Sequence, residues 1–264
     1  LTSVQPVEHG APLARPRSNP SGQQPALAAS LTTLLVTDLV GSTALVERLG
    51  DARATRLFTR LDAAARALLA AHHGRDGFLL LFERPVEAVA FALAYHAELA
   101  RLGKAERVVL AARVGIHVGE VFVRANPAAD VQRGAKPLEV DGLAKVVAAR
   151  LMALAEGGQT LLSRAAFDLT RPAAAEIGPE GARLAWLAHG SYRFKGIEGP
   201  AEVFEVGVPG LAQMLPPAGS AKAQPAGSGE EVLGWRPAVG QYVPERPQWR
   251  LERKLGAGGF GEAW

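Results

Sequence analysis

The fold class that the sequence predicts is an α+β sandwich with a mainly antiparallel sheet. Apolar runs of strand type alternate with helical repeats between residues 31 and 207, but without the regular spacing of βαβ units. An apolar stretch over residues 108–123 predicts a long strand or a hairpin, with Gly115 and Gly119 as bulge or turn points. Hydrophobic residues make up 48% of the 264 positions, so the domain can bury a sizeable core.

The composition argues against several functional classes. The chain has no cysteine, which rules out disulfides and thiolate metal sites and fits a reducing, cytoplasmic setting. Its net charge is only +3 and its basic residues are scattered, so we expect no nucleic-acid binding. No apolar run approaches the ~18 residues of a membrane span. Because the chain begins at Leu1 and ends at Trp264 inside a motif, we expect it to be a fragment.

The first half of the chain is divided by composition and periodicity. Residues 1–30 contain several Pro, Gly, Ser and Gln and show no period, which predicts a flexible lead-in. Strands are predicted over residues 31–37 and 77–82, and helices over residues 44–73, divided at Gly50, and from Pro85 to about residue 102.

The second half continues the alternation and then changes composition. A polar loop is predicted over residues 124–141. Residues 208–245 are rich in Pro, Gly, Ala and Ser, which predicts a linker behind the domain. The remaining predicted elements are helices over residues 142–155 and 165–169 and strands over residues 159–163, 182–187, 190–194 and 201–206.

The stretch from Leu34 to Thr43 carries a chemical signal. An apolar strand ends on Asp38, and a glycine and two hydroxyl residues precede the next helical pattern. Asp38 can hold a divalent cation through hard oxygen ligands. The backbone N–H groups of residues 39–43, at the positive end of a helix dipole, can hold phosphate, which points to a nucleoside triphosphate with magnesium. The alternative is structural: Asp38 caps a turn and Ser42 caps the helix.

Two motifs resemble the catalytic domain of class III adenylate and guanylate cyclases. The family has a strand ending in Thr-Asp, then an apolar pair and Gly-Ser-Thr, as in residues 37–43. It also has an Arg-x-Gly-x-His-x-Gly strand, as in residues 113–119. The resemblance covers residues 31–207 and implies a ferredoxin-like βαββαβ core with an added hairpin. Within this motif, we interpret His117 as a hydrogen-bonded core residue rather than a catalytic group.

The resemblance also implies a set of residues for nucleotide cyclisation. Asp38 and Asp76 would hold two Mg²⁺ or Mn²⁺ ions, with the carbonyl group of Leu39 as a further ligand. The triphosphate would be bound by the backbone of Val40, Gly41, Ser42 and Thr43 and by Lys195, the base would be selected by Glu139, and Arg150 would stabilise the transition state.

Arg150 stands out even without the resemblance. The apolar residues of the predicted 142–155 helix form one stripe, and Arg150 falls inside it. A guanidinium in such a stripe must either reach out to solvent or meet an anion. The stripe consists of Leu143, Val146, Val147, Leu151 and Leu154.

The family builds its active sites between two subunits, so the resemblance implies a homodimer, or a heterodimer with another cyclase-like chain, acting on ATP or GTP. Cyclic AMP is the expected product. The alternative is a degenerate module that binds nucleotide or dimerises to regulate an attached kinase. It rests on the fusion to a kinase-like segment and on two departures from the family. Val146 replaces the family's ribose-binding asparagine. Only Gly74 and Arg75 separate His73 from Asp76, where the family places a strand that bears a base-selecting lysine and needs about 5 residues.

The last residues resemble the glycine-rich loop of a Ser/Thr protein kinase. Strand-like residues lead into Gly256, Gly258 and Gly261, with Phe260 in the loop. The resemblance implies that residues 246–264 are the edge of a kinase domain, whereas a Rossmann turn would need a following helix. The other kinase motifs are missing, so this segment would not phosphorylate a substrate alone. An RNA-binding domain of RRM type is disfavoured because its stacking aromatics are not found.

Overall fold

The computed structural model describes residues 28–74, 79–136, 138–177, 184–226, 239–240, 242–243, 246–258 and 261–264. Asp76 lies outside these ranges, as does most of the lead-in. The helices are α1 (Ser42–Leu49), α2 (Asp51–Ala71), α3 (Pro85–Glu106), α4 (Ala128–Gln132), α5 (Leu143–Leu154) and α6 (Arg164–Thr170), followed by a 3₁₀ helix (Arg171–Glu176). The strands are β1 (Ala28–Leu39), β2 (Leu80–Phe82), β3 (Ala112–Ala125), β4 (Leu138–Asp141), β5 (Thr160–Ser163), β6 (Ala185–Phe194), β7 (Pro200–Gly207), β8 (Ala223–Pro225), β9 (Tyr242–Val243), β10 (Arg246–Arg250), β11 (Gly256–Gly258) and β12 (Gly261–Ala263).

The domain is built on an eight-stranded, mainly antiparallel sheet, as predicted. Its strand order is β2-β1-β3-β5-β7-β6-β8, and β4 pairs with β3. The β3–β5 pair is parallel, and the other pairs of this sheet are antiparallel. The longest ladder joins β1 to β3 and runs from the Ala28–Val123 pair to the Leu39–Ala112 pair. This ladder carries the two motifs that resemble the cyclase family.

Different helices cover the two faces of the sheet. Leu35 and Ile116 are fully buried on the face where α3 and α6 pack. Because side chains alternate along a strand, Leu34 points to the opposite face, where it packs with Ala144 and Ala148 of α5. The α5 helix lies very close to β3, since a Cβ added to Gly115 would come within 2.3 Å of the Met152 amide nitrogen. Gly115 therefore sets the height of α5 above the sheet.

Several predicted segments differ from the structure. The predicted flexible lead-in over residues 1–30 overlaps β1, which begins at Ala28 because β3 is long enough to pair with it there. The predicted polar loop over residues 124–141 contains α4 and β4, because β3 runs far enough to take β4 as an antiparallel partner. The two strands predicted over residues 182–187 and 190–194 are one strand, β6. An irregularity between Ala188 and Gly190, where Gly190 has a φ of 84°, interrupts its register without ending it.

Residues 208–226, predicted as linker, are part of the domain and are here named the C-terminal strap. Its β8 segment pairs with β6, and Ala223 and Ala226 are almost completely buried. The Tyr192 hydroxyl donates to the carbonyl oxygen of Pro217 at 2.9 Å. The composition is typical of a linker, but its small side chains also allow close packing against the sheet.

A buried polar cluster holds the middle of the strap. Gln159 and Glu205 are fully buried, and Gln159 Nε2 donates to Glu205 Oε2 at 2.9 Å. His189 Nε2 lies 2.7 Å from the same carboxylate oxygen. The strap joins this cluster through its backbone: the Met214 N–H donates to Glu205 Oε1, and the Leu215 carbonyl accepts from Gln159.

The described residues that follow the strap in the chain form two small hairpins. In one, β9 pairs with β10, and in the other, β11 pairs with β12 through the predicted kinase-type glycines Gly256, Gly258 and Gly261. The kinase assignment of this segment stays a prediction. In the described part of the chain, no helix is both long and apolar enough to cross a membrane.

Candidate functional site

Asp38 lies where β1 ends and the chain turns into α1. The turn needs a glycine, because Gly41 has a φ of 65°, in the left-handed region, and is the N-cap of α1. No side chain caps this helix, and Ser42 is its first residue. The alternative in which Ser42 caps the helix is therefore wrong.

The predicted phosphate-binding backbone is shorter than expected. The Val40 N–H donates to the carbonyl oxygen of Ala111 at 2.9 Å, so it is not a free donor. Leu45 is the first residue of α1 whose N–H is bonded inside the helix, to Gly41. The N–H groups of Ser42 and Thr43 belong to the first turn, which has no intrahelical acceptors. The donors available to an anion therefore begin after Val40.

Arg113 pairs with Asp38, a contact that the sequence analysis missed. The two residues are directly opposite in the β1–β3 ladder and form an ion pair through Arg113 Nη2. Their side chains are 34% and 45% exposed, so both remain within reach of a ligand. Arg113 Nε is buried and has no hydrogen-bond partner among the described residues. The spacing of the two motifs could have indicated this pair if the two strands had been aligned antiparallel.

Asp38 faces the same side of the sheet as α5. Residues 34, 36 and 38 of β1 share one face, and Leu34 packs against α5 on that face. Asp38 is the last of these three, at the end of the ladder. The carboxylate and the helix that carries Arg150 therefore lie on one side of the sheet.

Arg150 is half-buried and contacts the loop that carries Lys195. Its Nε donates to the carbonyl oxygen of Lys195 at 3.1 Å. The sequence predicted that this guanidinium would either reach solvent or bind an anion. In the structure it donates to a backbone carbonyl group instead, so neither outcome is established. Of the predicted site residues, Arg150 and Lys195 are thus brought together.

Both backbone polar groups of Lys195 are hydrogen-bonded. Its carbonyl accepts from Arg150, and its N–H donates to the carbonyl oxygen of Lys222 in the strap at 2.9 Å. A turn follows, in which the Ile197 N–H donates to Phe194 and Gly196 has a φ of 83°. The Lys195 side chain itself is exposed.

Glu139 lies far from Asp38 within one protomer. It is on β4, opposite Arg124 of β3, whereas Asp38 is opposite Arg113 of the same strand. These two β3 positions are eleven residues apart, which corresponds to about 35 Å of extended chain. Asp38 and Glu139 of a single chain are therefore too far apart to contact the two ends of one nucleotide.

His117 is a structural residue, as the sequence analysis interpreted it. Its Nδ1 lies 2.8 Å from the Ser163 hydroxyl oxygen, beneath α5. Burial lowers the pKa of His117 to about 4, so the ring is neutral at pH 7. A neutral ring hydrogen-bonded inside the domain is not in a position to exchange protons with a substrate.

Metal binding would depend on Asp38 together with residues that the structure does not describe. Among the described residues, no group of three His, Asp or Glu side chains could hold a metal ion. Asp76, the second predicted ligand, lies outside them. The half-exposed Asp38 carboxylate is a hard oxygen donor that suits Mg²⁺ or Mn²⁺. The described part of the site thus supplies one carboxylate, which fits the predicted metal chemistry without completing it.

Neither protein-family models nor curated proteins match this chain, but solved structures do. The adenylyl cyclase CyaB from P. aeruginosa has a TM-score of 0.57 at 20% identity, over 68% of this chain and 96% of that one. The guanylyl cyclase Cya2 gives 0.56 at 19%, over 69% and 94%. An adenylate cyclase from Trypanosoma brucei gives 0.53 at 21%, over 69% and 91%. The chain has the α+β fold of class III cyclase catalytic domains, and this level of identity establishes the fold alone.

Proposed function

We propose that this chain is a purine nucleotide cyclase that converts ATP into cyclic AMP and pyrophosphate at the interface of two cyclase-like chains. One observation carries the proposal. Asp38, at the end of the β1–β3 ladder, is separated by the length of that ladder from Glu139, the residue proposed to bind the base. A nucleotide held by both must therefore lie between two protomers, which is how the family in the resemblance builds its sites.

The reaction forms one bond to phosphorus and breaks another. The ribose 3′-oxygen loses its proton and bonds to the α-phosphorus, while the bond from that phosphorus to pyrophosphate breaks. Two divalent cations, when bound, would activate the 3′-oxygen and neutralise charge on the phosphoryl oxygens. Asp38 would hold these cations with Asp76 and the carbonyl group of Leu39.

Arg113 gives the site a response to the bound ligand. It forms an ion pair with Asp38 through Nη2. If a cation took the place of Arg113 at the Asp38 carboxylate, the terminal nitrogens of the guanidinium would be free to donate to a phosphate oxygen. The free N–H groups at the start of α1 would add further donors on the same side.

Arg150 and Lys195 of the second protomer would act on the leaving pyrophosphate. Arg150 keeps its terminal nitrogens for phosphate oxygens while its Nε holds Lys195 in place. Positive groups fixed before the reaction stabilise developing charge without having to reorganise. Glu139 offers only acceptors, so it suits the 6-amino group of adenine and would repel the 6-carbonyl group of guanine.

The direct test is product formation by the purified, dimeric protein with Mn²⁺ and each triphosphate. The parent should form cyclic AMP from ATP, and Asp38→Ala should lower the rate at least about 100-fold because a metal carboxylate is lost. Asp62→Ala, which removes an exposed carboxylate on α2, is the matched control and should keep the parental rate. The proposal fails if the dimeric parent makes no cyclic nucleotide, or if Asp38→Ala is as active as the parent.

A second candidate is a nucleotide-binding or dimerising module that regulates an attached kinase. It is favoured by Val146 at the position of the family's ribose-binding asparagine. It is also favoured by β2, which pairs with β1 and lies at the edge of the sheet in the described part of the chain. Calorimetry separates the two candidates: ATP binding without turnover supports the module, and turnover that Asp38→Ala abolishes excludes it.

A further inference from the structure

We propose that Lys222 of the C-terminal strap is a second lysine of the triphosphate site, binding a phosphate oxygen beside Lys195. This inference rests on the proposed function, because it extends the site in which Lys195 takes part. It also adds a residue from a segment whose composition predicted a linker.

Lys195 and Lys222 are neighbours at the end of the β6–β8 ladder. This ladder ends at the Phe194–Ala223 pair, and the two lysines lie in the turns next to it. The Lys195 N–H donates to the Lys222 carbonyl oxygen at 2.9 Å, so the two backbones are still in contact at this point. The two ammonium groups therefore start from neighbouring positions.

Both neighbouring side chains carry a positive charge. Two ammonium groups on hydrogen-bonded neighbouring residues repel each other, and an anion bound by both would relieve this repulsion. Neither lysine has an ion-pair partner among the described residues. Both side chains are exposed and can turn toward a ligand. An anion with several oxygens, such as a triphosphate, can accept from both lysines at once.

The backbone that carries Lys222 is fixed by its contacts with the domain. Lys222 lies between two fixed points of the strap, the buried polar cluster at Met214 and the buried Ala223. Its own N–H is held by the Ser220 hydroxyl at 3.2 Å. A lysine presented from a fixed backbone loses less conformational freedom when it binds than one on a mobile tail. The strap can therefore supply a binding residue.

The test measures binding of inorganic tripolyphosphate by calorimetry, with Mn²⁺ and the whole chain. Lys222→Ala should weaken binding about tenfold, the effect of losing one charge-assisted hydrogen bond. Lys222→Arg should restore binding, and Lys104→Ala, an exposed lysine at the end of α3, should leave it unchanged. In the cyclase assay, Lys222→Ala should raise KM for ATP by a similar factor with little change in kcat.

The inference is overturned if Lys222→Ala binds tripolyphosphate like the parent, or if the parent does not bind it at all. These outcomes are separate from the failure of the proposed function. Tripolyphosphate cannot cyclise, so its binding is measurable in a protein that makes no cyclic nucleotide. A parent that binds through both lysines without forming product would keep the inference and remove the enzyme.

Discussion

The guanidinium of Arg150 donates from Nε to the carbonyl oxygen of Lys195, which joins α5 to the loop behind β6 at a distance of 3.1 Å. The two positively charged residues proposed to act on the same pyrophosphate are thus linked by a hydrogen bond. The effects of removing them should not add, since loss of Arg150 also releases the Lys195 backbone, whereas loss of the Lys195 side chain leaves the contact in place.

Removal of Arg150 should therefore lower kcat by more than the loss of its charge alone would. We expect Arg150→Ala to lower kcat at least about 100-fold, and Arg150→Ala combined with Lys195→Ala to fall little further. Arg150→Lys keeps the charge but loses the planar donor set, so it should recover little activity. Steady-state kinetics of the parent, Arg150→Ala, Lys195→Ala and the double variant form a double-mutant cycle. Strictly additive losses would mean that the Nε contact has no functional role.

Gly115 should control the position of α5. A Cβ at this position would lie 2.3 Å from the Met152 amide nitrogen and 2.5 Å from the Ala148 carbonyl oxygen, so Gly115→Ala must push the helix away from β3. We expect a loss of about 1–3 kcal/mol in the free energy of unfolding, measured in urea, and a larger proportional loss of activity because Arg150 moves. Gly157→Ala, whose Cβ would meet the Ala111 side chain at 3.1 Å, is the milder control. Equal effects of the two substitutions would contradict this account.

Glu205 should fix the strap to the sheet. Its buried carboxylate accepts from Gln159 and the Met214 N–H and lies beside His189, so Glu205→Ala leaves several buried polar groups unpaired. We expect a loss of about 3–5 kcal/mol in the free energy of unfolding and faster proteolysis within residues 208–222. Glu202→Ala removes a carboxylate that is 46% exposed and pairs with Arg164, and it should cost less than about 1 kcal/mol. An intact strap in Glu205→Ala would show that β8 alone holds it.

Stability should fall as the pH drops from about 6.5 toward 4. Burial lowers the pKa of His117 and of His96 to about 4, whereas both titrate near 6.5 in the unfolded chain. In this window the unfolded chain binds more protons, so the native state loses stability as pH falls. Urea unfolding should show a loss of about 2–4 kcal/mol between pH 7.5 and 5.

The double variant His96→Gln/His117→Gln is the control for this pH effect. Without the two rings, the loss of stability over the same pH range should be smaller. An NMR titration in which the His117 ring protons shift with a midpoint near pH 6.5 would contradict the assignment, because it would place the ring in solvent.

Periodicity and glycine positions were sufficient to predict the sheet class and most helices. The division of the first helical region at Gly50 and the helix opened by Pro85 are both present, because these residues act locally. The strap and β4 were missed for the opposite reason. Their strands are short and polar or rich in small residues, and only pairing with distant strands makes them strands at all.

The residues of the candidate site also fall into those that the local sequence marks and those that only the fold reveals. Asp38 and Arg150 could be selected because a carboxylate ends an apolar strand and an arginine interrupts an apolar stripe. Arg113 is not marked by its own sequence context, and only an antiparallel alignment of the two motifs would have indicated its contact with Asp38. The proposed role of Lys222 depends in the same way on a distant neighbour, Lys195. The occupied N–H of Val40 was equally hidden, because its acceptor, Ala111, is distant in the chain.

In the described part of the chain, both edge strands of the eight-stranded sheet are short. β2 and β8 have three residues each, and β8 ends in Pro225, which has no N–H to donate. Such edges are poor templates for another strand, so a second copy has little to gain by extending the sheet. Contact with a second copy would then use the faces of the domain rather than the edges of its sheet.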